Sequence, residues 1–280
     1  MGEVIACANQ KGGVGKTTTV VSLASYLALD GSRVLVVDMD PQGNATSGLG
    51  IDRDSTRPSV YDVLLTDTDP VDAIRSTTIE NLSVLPSDRS LAGAEVELVP
   101  NSGRERRLKR VLGGVGEAYD FVLLDCPPSL GLLMVNALTA ADSVLIPLQC
   151  EYYALEGLAL LMDTVALVRQ HLNPGLSTKG IVLTMHDGRT SLSAYVTADV
   201  RRHLGEQVFE TVVPRSVRLA EAPQHSLSIA QYSPSSRGAL AYQAVTAELL
   251  SRSGLEPGDA LRGARDRYQA PRSDQEREVG

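Results

Sequence analysis

Residues Asn9–Thr18 read NQKGGVGKTT, and this stretch decides the fold. The apolar run Val4–Ala8 precedes it and the apolar-periodic run Lys16–Asp30 follows, so the order predicts strand, glycine-rich loop, helix. Glycines in such a loop let backbone N–H groups turn inward around an anion, and the helix N-terminus adds its dipole. The pattern G-x-x-x-x-G-K-[ST] is met by Gly15, Lys16 and Thr17, with Gln10 where the first glycine usually stands. Lys16 is placed to neutralise the β- and γ-phosphates of a nucleotide, and the Thr17 hydroxyl to bind Mg²⁺. Lys11 is a second lysine in a loop that needs one.

The rest of the chain agrees with a sheet buried on both faces. Its 280 residues contain no Trp and two Phe, so Val, Leu, Ile and Ala must build the core. Strands are expected at Val4–Ala8, Arg33–Asp38, Leu82–Leu85, Phe121–Asp125, Ser143–Leu148, Gly180–Thr184 and Val208–Val213, with little polar alternation. Helices are expected at Lys16–Asp30, Arg104–Glu117, Leu130–Ala140, Ala154–His171, Leu192–Leu204 and Arg237–Ser251. This alternation predicts an α/β fold, a doubly wound, mostly parallel sheet with helices on both faces. Residues 1–253 read as a single domain. The segment 50–100 is less regular and reads as decoration of the sheet edge. Residues 254–280 are polar, charged and punctuated by Pro and Gly, and read as a flexible tail without an apolar face.

The chain opens on a strand and not on a charged segment followed by an apolar one, so no signal peptide is expected, and no apolar run approaches membrane-spanning length. The three cysteines, Cys7, Cys126 and Cys150, are widely spaced, which supports neither disulfides nor zinc and suits the cytosol.

Two further motifs carry chemistry. In VVDMDPQGN, Val36–Asn44, a buried strand ends at Asp38 and Asp40 follows two residues on. Carboxylates at the carboxyl end of such a strand lie where open α/β sheets bind ligands. Asp40 is placed to orient or deprotonate an attacking water, and Asp38 to hold a metal-bound water. In YDFVLLDCPPS, Tyr119–Ser129, an apolar strand ends in Asp125, the pattern that supports Mg²⁺ in nucleotide hydrolases.

Lys11 ahead of GGVGKTT, then DMDPQGNATSGLG, LLDCPPSLG, TMHDGRT at Thr184–Thr190 and PRSVRLAEAP at Pro214–Pro223 together resemble the deviant Walker A ATPases. More narrowly they resemble the ParA/Soj group that partitions chromosomes and plasmids, over roughly residues 2–250. The resemblance implies that Lys11 reaches across a dimer interface to the partner subunit's nucleotide, as an arginine finger would. It implies ATP and Mg²⁺ as ligands, with Lys11, Gly12, Gly13, Val14, Gly15, Lys16, Thr17 and Thr18 forming the nucleotide loop. Lys11, Lys16 and Asp40 would be catalytic, and Thr17, Asp38 and Asp125 would serve the metal. Met185, Pro214 and Val217 would contact adenine, and the loops 39–48 and 126–131 would sense the γ-phosphate.

Arg189 and Arg218 match positions that bind double-stranded DNA in the ATP-bound homodimer. The chain carries a formal charge of −8, yet Met185–Leu240 holds six arginines against five carboxylates, +1, leaving −9 elsewhere. Arginine suits phosphate contacts without base reading. The run Arg104, Arg106, Arg107, Lys109 and Arg110 reads first as a solvated helix face, with DNA as a further use. The resemblance also implies slow hydrolysis stimulated by a ParB-like centromere-binding protein, and a cytoplasmic, nucleoid-associated location. Because the chain reaches its first strand at once, no N-terminal helix-turn-helix domain is expected.

Three rivals are weaker. A membrane-cycling ATPase resembling MinD would need an amphipathic terminal helix, which 254–280 does not spell, so no membrane partner is expected. A relative of the nitrogenase iron protein would need cluster-spaced cysteines. An ATP-using metabolic enzyme would need a second substrate pocket that no motif supplies.

Overall fold

A computed structural model describes residues 2–66, 68–152 and 154–269. Among them, seven strands form one sheet: β1 (Glu3–Cys7), β2 (Val34–Asp38), β3 (Arg75–Ser76), β4 (Leu82–Leu85), β5 (Phe121–Asp125), β6 (Ser143–Gln149) and β7 (Ser177–Thr184), in the order β3-β4-β2-β5-β1-β6-β7. All pairings are parallel except β3 with β4 at the edge. Every residue of β2 and β5 is buried, as a strand covered on both faces requires. One face packs under helices Leu132–Ala140 and Ala154–His171, the other under Lys16–Leu29 and Arg237–Arg252.

The register sets the site. Cys7 and Asp38 both pair with Asp125, so β1, β2 and β5 end level, at the mouth of the loop that leaves β1. The sheet order changes direction here, with β1 continuing to β6 on its other side. Parallel sheets bind ligands at such a reversal. The segment 50–100 does decorate the edge, through short helices and the antiparallel β3.

Three expectations are corrected. Val208–Val213 is not a strand of the sheet: it runs beside β7 without a continuous ladder, with an isolated bridge from Ile181 to Val208 and the bonds Phe209 N to Ile181 O and Val213 N to Leu183 O, each at 2.8 Å. Its central amides, Glu210 N and Thr211 N, donate to the buried Glu248 carboxylate at 2.9 and 3.1 Å instead of to a strand carbonyl. Arg104–Glu117 is not one helix but a 3-10 turn (Arg104–Arg106), an α-helix (Arg107–Gly113) and a second 3-10 turn (Gly116–Ala118). The adjacent Gly113 and Gly114 interrupt it, since glycine loses most backbone freedom in a helix.

The third correction concerns the segment from residue 254. Its described part, through Gln269, is packed: Leu261 and Ala264 are each 1% exposed and helix Ala264–Gln269 lies on Arg237–Arg252. Of the few apolar residues there, Leu261, Ala264 and Tyr268 face inward while Leu255 stays exposed, a pattern too sparse to stand out in a polar sequence. Residues 270–280 lie outside the described residues.

Glu248 also pairs with Arg252 at 3.0 Å. Glu248→Gln replaces an acceptor by a donor that must face a backbone N–H. It is expected to cost about 2 kcal/mol and lower Tm by roughly 5 °C, read by thermal denaturation.

Candidate active site

The glycine-rich loop folds as its sequence requires. Gly13 and Gly15 have φ of 74° and 92°, left-handed values that a side chain disfavours. Gly15 precedes helix Lys16–Leu29 and supplies no side-chain cap, so the amides of the first turn remain for an anion. Asn9 sets the loop's entry, donating to Pro147 O at 2.8 Å and accepting from Lys11 N at 3.0 Å. Gln10, in place of the usual glycine, donates to Gly157 O at 3.3 Å and so ties the loop to the helix after β6. Buried Val14 is held from behind, where Thr184 donates to its carbonyl at 2.8 Å. Gly12 and Gly13 are open to solvent on the outer side, while Thr17 and Thr18 are half-buried at the helix start.

The two lysines separate. Lys16 is 7% exposed and its ammonium donates to Lys11 O at 3.2 Å, folded over the loop it would serve. The Lys11 ammonium points elsewhere, to the Glu151 carboxylate at 3.0 Å, with both side chains well exposed. An ion pair so wet contributes about 0–1 kcal/mol, so Lys11 is easily released from it.

Opposite the loop stand the carboxylates. Asp38 accepts Thr46 N at 2.8 Å, Thr46 Oγ1 at 2.7 Å and Asp40 N at 3.2 Å. Burial nonetheless pushes its pKa up to about 6 against those donors, and the Asp40 charge adds to the rise. Asp125 is completely buried and, among the described residues, neither carboxylate oxygen meets a hydrogen-bond partner. Burial raises its pKa well above the usual range, with Asp38 adding to it; the Thr17 hydroxyl, near but not in hydrogen-bond geometry, and Lys16 oppose the rise. Asp40 is 8% exposed and its Oδ1 accepts Gln42 N at 2.9 Å.

An unpartnered buried carboxylate beside a second one is poorly stable alone. A divalent cation with its water shell would supply both the missing charge and the missing donors, so Thr17, Asp38 and Asp125 fit Mg²⁺. Thr46 was not singled out from the sequence, yet it fixes Asp38 by two bonds while its Oγ1 accepts Ser87 N at 3.0 Å. Only its place in the loop after Asp40 could have hinted at it. Glu151 had no signal at all.

A family profile described as an AAA domain matches residues 2–178. The sporulation initiation inhibitor protein Soj of Bacillus subtilis is 57% identical over 242 residues, 86% of this chain and 96% of that protein. The chromosome partitioning protein ParA of Myxococcus xanthus is 51% identical over 252 residues, 90% and 89% of the two chains. The chain belongs to the Soj/ParA family of chromosome-partitioning ATPases.

Solved structures share the fold. A cobyrinic acid a,c-diamide synthase of Mycobacterium smegmatis, with bound ADP and magnesium, superposes with a TM-score of 0.79 at 40% identity, covering 92% of this chain and 98% of that one. The septum site-determining protein MinD of Pyrococcus horikoshii, complexed with Mg-ADP, superposes at 0.76 with 26% identity, covering 91% and 98%.

The other expected positions of this Soj/ParA protein lie beside the loop or at the surface. Met185, directly after Thr184, has a left-handed φ of 52°, uncommon for a bulky residue and typical of a constrained functional turn. The turn is held by His186 N to Val213 O at 3.1 Å and Arg215 N to His186 O at 2.9 Å, which sets His186, the residue after Met185, opposite Pro214. Val217 follows, 72% exposed. None of the three lines the cavity of about 270 Å³ that opens between Thr17, Thr18, Asn44, Ser47, Leu219 and Ile229. That cavity lies on the β2 side of the phosphate helix, and Met185 on the β7 side.

Arg189 and Arg218 are both exposed, and both are paired within the chain. Arg189 makes a two-pronged contact with Asp187, both bonds 2.9 Å, and holds that carboxyl well below its usual range. Arg218 meets Glu221 at 2.9 Å, where Tyr232 also donates. Arg106, Lys109 and Arg110 on the broken helix are exposed. No helix of the described residues is long and apolar enough to cross a membrane.

Proposed function

We propose that this Soj/ParA-family ATPase is a dimerising switch that binds DNA without reading its sequence and partitions chromosomal or plasmid DNA through cycles of ATP binding and hydrolysis. The observation that carries the reading is the division of labour between the lysines. Lys16 is committed to its own loop, its ammonium bonded to Lys11 O, while Lys11 points out to a solvent-exposed pair.

On this reading the loop Lys11–Thr18 takes the triphosphate, Lys16 balances its charge, and Asp40 orients or deprotonates the water. Mg²⁺, held by Thr17, Asp38 and Asp125, would neutralise phosphate charge. Met185, Pro214 and Val217 face the adenine. Lys11 completes the partner's site, which makes a two-fold dimer depend on ATP. Release of the γ-phosphate is sensed by the loops 39–48 and 126–131. A ParB-like partner accelerates hydrolysis, and the ATP-bound dimer resides on the nucleoid.

Dimerisation doubles the Arg189 and Arg218 surface. Their ion pairs with Asp187 and Glu221 are exposed and weak, so polyvalent phosphate can replace the carboxylates. The test is DNA binding with ATP, ADP and no nucleotide across a salt series. Binding is expected only with ATP, with a steep loss on adding salt, and Arg189→Glu or Arg218→Glu is expected to weaken it by about tenfold or more while reducing the salt slope. Equal binding in all three nucleotide states would sink the switch.

A further inference from the structure

The described chain beyond helix Arg237–Arg252 runs back across the molecule, from the far end of the phosphate helix to the segment 208–214. Its root is Asp30, just past the end of the phosphate helix, whose carboxylate accepts Gly258 N at 2.7 Å and Leu261 N at 3.3 Å. A side chain at position 258 would meet that carboxylate at 2.8 Å, so the contact is close. Leu261 and Ala264 then anchor in the core beneath the phosphate helix and Arg237–Arg252.

The far end grips the segment 208–214. Arg265 pairs with Glu210, and the Tyr268 hydroxyl donates to Val212 O at 2.6 Å. Tyr268 is itself fixed, since the Arg237 guanidinium lies 4.4 Å over its ring and Arg237 Nη1 donates to its carbonyl at 2.5 Å. The gripped segment is bonded to β7 near its two ends, Phe209 N to Ile181 O and Val213 N to Leu183 O, each at 2.8 Å, while between them its amides hang on Glu248 and not on a strand. Two residues past Val212 is Pro214, and five past it is Val217.

We infer that residues 258–269 are a strap that positions the base-binding edge relative to the phosphate loop, with Tyr268 as the positioning residue. The inference rests on the reading that Pro214 and Val217 face adenine. The strap ties the far end of the phosphate helix, at Asp30, to the base edge at Val212, and so braces that edge against the helix that carries the loop. Fixing that edge beforehand spares the ordering cost on binding. Its effect therefore falls on ligands that carry a base and spares those that are phosphate alone.

The test is calorimetric titration, with Mg²⁺, of ATP and of inorganic tripolyphosphate into wild type, Tyr268→Phe, Tyr268→Ala and Val217→Asp. Tyr268→Phe removes one hydroxyl and keeps the packed ring. It is expected to weaken ATP about fivefold while tripolyphosphate stays within about twofold, and Tyr268→Ala to weaken ATP further. Unchanged ATP affinity in Tyr268→Phe, or an equal loss for both ligands, overturns the strap. Val217→Asp separates the premises. A selective loss of ATP there, with none in Tyr268→Phe, leaves the base edge standing and removes the strap. No selective loss in Val217→Asp removes the base edge, and the strap with it.

Discussion

Lys11→Ala is expected to leave ATP binding to the monomer within about threefold of wild type and to weaken the ATP-dependent dimer by roughly 10³-fold. The reasoning starts from where the ammonium points. Lys16 is folded over the loop and stands near Asp125, so the cis charge on the triphosphate is already assigned. Among the described residues the Lys11 ammonium is held by Glu151 alone, at the surface, in a pair that is well exposed. In a two-fold dimer each subunit would lose one charge-assisted contact to the other's phosphates. Two losses of about 2 kcal/mol each give the stated factor. The measurements are light scattering or sedimentation with ATP and Mg²⁺, set beside nucleotide titration of the monomer. A variant that dimerises normally, or that loses ATP binding and dimer in equal proportion, would place Lys11 in its own subunit's site.

Asp40→Ala is expected to reduce ATP hydrolysis by about 10²–10⁴-fold while ATP still binds and the dimer accumulates on DNA. Asp40 is nearly buried, two residues beyond Asp38, and one of its oxygens accepts Gln42 N. Its carboxylate therefore sits on the loop that would wrap the γ-phosphate, clear of the glycine-rich loop that would hold the phosphates. Losing it removes the group that orders the water and spares the groups that bind. The turn from Asp40 to Gly43 loses the side-chain bond to Gln42 N but keeps its backbone closure, Gly43 N to Asp40 O at 2.9 Å. Hydrolysis is read by phosphate release and the trapped dimer by retention on DNA after ATP is diluted away. Loss of ATP binding together with hydrolysis would instead make Asp40 a binding residue.

These two predictions show what was legible in the sequence and what was not. The glycine-rich loop and the two aspartate-ending strands could be read directly, because local chemistry constrains them. Only glycine takes φ near 74° and 92° without strain, and only a strand apolar throughout can lie between two helical layers. The register that sets Asp38 beside Asp125 followed from three parallel strands ending level, and was implied without being spelled.

Long-range pairing stayed hidden. That Glu151 holds Lys11, that Thr46 holds Asp38, and that Asp187 and Glu221 cover the two surface arginines are contacts between side chains whose types are common anywhere. The segment 208–213 looked like a strand because it is apolar and β-branched. That its central amides left β7 for the Glu248 carboxylate depended on a helix some 40 residues away.

The segment after residue 254 marks the boundary most clearly. By composition it reads as solvated chain, since its apolar residues are too few to declare a face. The folded domain offers them a groove, an Asp30 carboxylate for two of its amides and a Val212 carbonyl for its tyrosine. The sequence by itself determined the phosphate loop, the parallel sheet and the acidic strand ends, because each is fixed by backbone geometry and burial within a few residues. The tertiary structure alone decided which lysine faces inward and where the chain past residue 254 runs, because those outcomes depend on partners that only folding brings within hydrogen-bond distance.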